Sequence, residues 1–153
     1  MRIIPEDDAR ALVRNPLTCE DVGDWATLKV QPGTVVIGVG VLDENGVSVR
    51  MYVELVYRPS YKTKITRYLF TLFQRFPYGN ERIYQLEVTQ TPKLVRDMHK
   101  LSHEHMGSLR TTGDASWATW GYDEVLAHFC AQTNITFAPS PVHPETFELR
   151  ANK

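Results

Sequence analysis

The chain has 153 residues, 42% apolar and 23% charged, the balance of a single soluble globular domain of ordinary size. A formal net charge of −1 excludes a global electrostatic pull toward nucleic acid or an anionic membrane. No run reaches the ~18–20 apolar residues that span a bilayer, and residues 1–8 lack the apolar stretch of a signal peptide, so a cytoplasmic protein is expected.

Charge is unevenly spread. Residues 1–24 carry three arginines against six carboxylates, a net of −3, and residues 58–82 carry six cations against Glu81, a net of +5. Cys19 and Cys130 form no CxxC pair and read as small buried hydrophobes in a reducing compartment. No repeat or linker divides the chain, so residues 1–153 are read as one domain with an acidic N-terminal segment (1–24) and a proline-rich tail (139–153).

Pro5 suits the first turn of a helix and the acidic residues after it suit the helix dipole. Ala9, Leu12 and Val13 give a short apolar stripe, which Asn15-Pro16 ends. Val35 to Leu42 is β-branched, and Val47 to Tyr57 alternates with Val47, Val49, Met51, Val53, Leu55 and Tyr57 on one face. Two registers are open for the hairpin between them. A two-residue Asn45-Gly46 turn sets Val41, Val39 and Ile37 against Arg50, Tyr52 and Glu54. A three-residue loop of Glu44, Asn45 and Gly46 pairs Asp43 with Val47, Val41 with Val49, Val39 with Met51 and Ile37 with Val53. The apolar match favours the second register, with Gly46 at positive φ.

Lys62 to Phe76 reads as a third strand and Arg82 to Gln90 as a fourth, joined by the turn Pro77-Tyr78-Gly79-Asn80. After Thr91-Pro92 a short helix or irregular turn carries Leu94, Met98 and Leu101, and Ser102 to Arg110 reads as a fifth strand. Tyr122 to Thr133 is a helix with Val125, Leu126, Phe129 and Cys130 on one stripe, stopped at Asn134. Ile135 to Phe137 is a short strand, and Phe147 and Leu149 fold the tail back onto the body. The expected fold is α+β: an antiparallel meander of about five strands, packed by one main C-terminal helix and a short N-terminal helix.

Chemistry concentrates in Asp97-Met98-His99-Lys100-Leu101-Ser102-His103-Glu104-His105. On a strand His103 and His105 share one face, which places a general acid beside a general base or begins a metal site. His99 joins His103 only on a helix, so all three meet only at a helix-to-strand corner. Asp97, Glu104 and Asp114 are the nearest carboxylates. The spacing matches no established zinc pattern, so neither metal nor cofactor is expected. The structural alternative is a pair of histidines hydrogen-bonded within the sheet. His128 and His143 read as solvated, and Trp117 and Trp120 as covers over the core edge.

The segment 58–82 interleaves Tyr61, Tyr68, Phe70, Phe73, Phe76 and Tyr78 with six cations, the pattern of a groove that holds single strands by stacking and charge. Lys62, Lys64, Arg67 and Arg75 are its candidate nucleic-acid contacts. The alternative is a core strand with buried aromatics and solvated cations. Gly38-Val39-Gly40 lacks the third glycine of a phosphate loop and reads as a place where another element comes close.

The run from Tyr68 to Phe137, just under half the chain, resembles small uncharacterised bacterial proteins of phage and mobile elements, some of them neighbours of toxin–antitoxin genes. The likeness rests on the meander leading into His103-Glu104-His105, the loop of Gly113, Asp114 and Trp117, and the helix ending in Asn134-Ile135. It implies a host-conflict setting and assigns no reaction. Two functions follow: a non-catalytic binding protein of inhibitor, antitoxin or immunity type with a protein partner, or a nucleic-acid-directed, ribonuclease-like toxin whose acid–base pair is His103 and His105. The first is the expectation.

Overall fold

The computed structural model describes residues 3–60, 62–91 and 102–146. The elements run α1 (Glu6–Leu12), β1 (Leu17–Glu20), β2 (Ala26–Thr27), β3 (Val35–Leu42), β4 (Ser48–Pro59), β5 (Thr66–Phe76), β6 (Gly79–Gln90), β7 (His103–Met106), β8 (Leu109–Thr112), a 3-10 turn (Ala115–Thr119), α2 (Tyr122–Thr133) and β9 (Ile135–Ala138). Among the described residues all nine strands belong to one sheet, ordered β8-β7-β6-β5-β4-β3-β1-β9 with β2 also on β3.

This corrects the expected five-strand meander packed by one main helix. Among the described residues the protein is mostly strands, in one large mixed sheet with three small helices, counting the 3-10 turn. Besides the short β2 on β3, two things enlarge the sheet. Leu17–Glu20 forms a strand and pairs parallel with β9, Leu17 beside Ile135 and Cys19 beside Phe137. The run Ser102 to Arg110 is not one strand but the first part of a hairpin, β7 and β8 turning at Gly107, whose φ is +56°. Glycine fits there because side-chain-bearing residues are strained in the left-handed region; a Cβ would also sit 2.6 Å from the Ile4 carbonyl oxygen.

The first hairpin takes the three-residue loop. Asp43 N–H donates to Val47 O at 2.8 Å, Val41 lies opposite Val49, and Gly46 has φ +77°. Beyond Val41 the expected partners are displaced: Val39 faces Val53 and Ile37 faces Leu55, because a bulge between Gly40 and Val41 lets β4 run ahead. The offset keeps apolar residues on the same face.

One face holds the core. Val53, Leu55, Phe70, Leu72, Tyr84, Leu86 and Val88 are fully buried there, at roughly 1.5–3 kcal/mol for each large apolar side chain. Phe129 of α2 meets Phe70 at 5.9 Å and Tyr84 at 5.8 Å between ring centroids. Ala9 and Val13 of the α1 region and Trp25 complete the cover, Trp25 packing on Tyr57 and Tyr122. Helix α2 spans the expected residues, stops at Asn134 with φ +61°, and starts where Gly121 N–H donates to Glu124 Oε2 at 3.0 Å. Cys19 and Cys130 are free thiols; burial, then Cys130, pushes the Cys19 thiol up to about 12. No described helix is long and apolar enough to cross a membrane. The expected element around Leu94 to Leu101 and the tail residues Phe147 and Leu149 lie outside the described residues.

Candidate functional site

Strand β7 pairs with β6 so that His103 faces Glu87, Glu104 faces Leu86, His105 faces Gln85 and Met106 faces Tyr84. Alternation therefore sends His103 and His105 to the face opposite the core, and Glu104 toward the helices. His99 and Asp97 lie outside the described residues, so the described cluster is the pair alone.

On the face opposite the core, which carries none of the described helices and is hereafter the helix-free face, the two histidines belong to a polar network. His103 Nε2 lies 3.0 Å from Glu87 Oε2. Arg82 Nη2 lies 3.2 Å from His105 Nδ1, Arg82 Nη1 donates to Gln85 Oε1 at 3.2 Å, and Gln85 Nε2 donates to Thr71 Oγ1 at 3.0 Å. The two imidazole rings meet edge to face at 5.1 Å. Partners assign the tautomers: a guanidinium only donates, so His105 Nδ1 accepts; a carboxylate only accepts, so His103 Nε2 carries its proton. His103 Nδ1 is buried with no partner among the described residues.

Burial first, then Arg82, His103 and Arg110, pushes His105 down to about 4. Burial also lowers His103, outweighing the upward pull of Glu87, with Arg110 and Arg82 adding to the fall. The surroundings of both rings thus disfavour the protonated form that an acid–base pair needs in one of its members. Among the described residues no three His, Cys, Asp or Glu side chains converge as metal ligands.

The other face of β7 holds a site that the sequence reading missed. His128 Nε2 lies 2.9 Å from Glu104 Oε2, with side chains 23% and 17% exposed. Trp117 and Trp120 stack at 4.8 Å and flank the imidazole at 5.0 and 5.3 Å. Tyr84 faces the same carboxylate, and its hydroxyl is pushed far up, by burial first and then by Glu104. His128 is therefore not solvated, and His143 packs on Tyr122 at 4.9 Å. A signal was present: a strand over 103–105 with its histidines outward must send Glu104 inward, where a buried carboxylate needs a partner.

The basic segment divides. Arg58 and Arg67 are directly opposite each other on β4 and β5, exposed on the helix-free face. Lys62 and Lys64 are exposed in the connection between these strands. Arg75 stands near the far end of β5, its guanidinium 4.4 Å above the Tyr52 ring, apart from the other three candidate contacts. Tyr68 and Phe70 are 3% and 0% exposed in the core, so they offer no stacking platform; Tyr61 lies outside the described residues. The close approach at Gly38 is made by the Tyr52 side chain, which crosses the space a Cβ would fill.

A separate cleft of about 620 Å³ lies between α1 and the β5–β6 hairpin, with Asp8, Leu12, Gln74 and Glu81 in its wall. None of the candidate residues lines it. Comparison with protein-family models, curated proteins and solved structures finds no match to this chain.

Proposed function

We propose that the chain is a small, cytoplasmic, non-catalytic binding protein of inhibitor, antitoxin or immunity type, in keeping with a phage or mobile-element conflict setting. The observation that supports the reading is that both rings are engaged within the sheet, His103 with Glu87 and His105 with Arg82, in surroundings that disfavour their protonated forms. The surface that would meet a partner is the helix-free face. Val36, Val56 and Leu69 lie side by side across β3, β4 and β5 there, each half-buried, with Arg58 and Arg67 beside them. An apolar centre with a cationic rim suits a protein of acidic surface. The acidic N-terminal segment offers a second, oppositely charged contact.

The ribonuclease-like reading has one observation in its favour, the cations Arg58 and Arg67 on the same face as the histidines. It asks His103 and His105 for a protonated acid that their surroundings disfavour, and Arg75 stands apart from the other three cations.

The test is capture of a defined protein partner from the host cell by the parent chain, by Leu69→Glu and by Arg50→Glu. The reading expects an acidic partner that Leu69→Glu loses and Arg50→Glu keeps, with both variants melting like the parent. Retention by Leu69→Glu, or RNA recovered in place of protein, overturns it.

A further inference from the structure

Strands β4 and β5 end in a connection that folds back on itself. Ser60 N–H donates to Ile65 O at 2.9 Å, Thr63 N–H reaches Ser60 Oγ at 3.5 Å, and Ile65 N–H reaches Thr63 Oγ1 at 3.4 Å. Lys64 takes φ +58° to close the turn. Arg58, Ser60, Thr63, Ile65 and Arg67 then line a cleft of about 260 Å³.

Two features of this cleft point to an anion. Arg58 and Arg67 are cross-strand partners on one face, and like charges so placed destabilise a sheet. Neither forms an ion pair with a described carboxylate. Both hydroxyls accept from backbone N–H groups, which leaves each hydroxyl proton free to donate. The cleft therefore presents two guanidiniums and two hydroxyl donors, and no acceptor charge.

We propose that this cleft is a phosphate-binding site, built for the dianionic phosphate group of a monoester or of free inorganic phosphate. Guanidinium forks match the paired oxygens of a phosphate. A dianion balances both arginines, whereas a phosphodiester carries a single charge. The cleft is small, about 260 Å³; Lys62 and Lys64 stand exposed in the adjoining connection and add to its positive field, and Arg75 lies at the far end of the strand. The site shares Arg58 and Arg67 with the rim of the protein-binding face but does not rest on that reading, because small probes alone test it.

The experiment uses the full chain with three probes: inorganic phosphate, phenyl phosphate, and a short single-stranded RNA without terminal phosphates. Thermal melts and titration calorimetry compare the parent with Arg58→Gln, Arg67→Gln and, as a distant control, Arg50→Gln. Both phosphates are expected to raise the parent's melting temperature, and their relative strength distinguishes a free from an esterified ligand. Arg58→Gln and Arg67→Gln should each weaken phosphate binding by about tenfold or more, the loss of one charge-assisted hydrogen bond. In phosphate-free buffer the same variants should melt on the order of 1–2 °C above the parent, as the like-charge pair is relieved. Arg50→Gln should change neither. The proposal is overturned if neither phosphate shifts the parent, if Arg50→Gln weakens binding equally, or if the RNA binds as tightly as phenyl phosphate.

Discussion

The Arg82 guanidinium stands 3.2 Å from Nδ1 of His105, a contact that a protonated imidazole abolishes. His105 is held at about 4, against an ordinary value of 6.5. Between those values the unfolded chain binds the proton and the folded chain does not, so stability rises with pH across the window. It is fully present above about 6.5 and is lost as pH falls toward 4. The ring is partly exposed, so we expect a loss on the order of 1–2 kcal/mol rather than the full shift. Urea denaturation of parent and His105→Gln at pH 7.5, 6 and 4.5 checks this: the variant should show a shallower slope, His103, also lowered, keeping part of it, and equal slopes would contradict it.

The Glu104–His128 contact makes a second prediction. Glu104→Ala removes the partner of His128 and the neighbour of the Tyr84 hydroxyl, and should cost about 1–3 kcal/mol. Glu104→Gln keeps an oxygen in place and should cost less. Denaturation of both variants measures this, and an unchanged Glu104→Ala protein would refute the contact's role.

Two glycines separate backbone strain from crowding. Gly46→Ala meets no atom within 4 Å but sits at φ +77°, and should cost about 1 kcal/mol. Gly113→Ala places its Cβ 2.4 Å from Cε3 of Trp117, and should cost about 1–3 kcal/mol. Only the second should also change tryptophan fluorescence, because Trp117 stacks on Trp120.

Helix α2, its Asn134 stop, the three-residue loop and the shared face of His103 and His105 were legible from periodicity and turn chemistry. Periodicity reports which face a residue takes and is silent on its neighbour. The bulge at Gly40/Val41 advances β4 by two residues, which preserves parity, so apolar matching alone does not detect that Val39 meets Val53 instead of Met51. The pairing of Leu17 with Ile135 joins two four-residue strands across most of the chain; the second is readable at Ile135 to Phe137, but Leu17–Glu20 is too short to carry a clear pattern and nothing local announces its partner. Gly107-Ser108 is a two-residue hairpin signal, but the alternation of His103, His105, Gly107 and Leu109 mimics one continuous strand. His128 found its partner in a residue distant in sequence, and only the inward turn of Glu104 hinted at it.

The most direct test of the central claim is the melting temperature of the His103→Ala/His105→Ala double variant, measured beside an RNA-cleavage assay of the parent with and without chelator. Removing both rings takes Glu87's histidine partner and one of Arg82's two partners, Gln85 remaining, from a half-buried network, at about 1–3 kcal/mol in all once solvent access is allowed for. The account predicts a double variant that melts several degrees below the parent, and a parent that leaves RNA intact under both conditions. A parent that cleaves RNA, with cleavage lost in a double variant that melts like the parent, would contradict it.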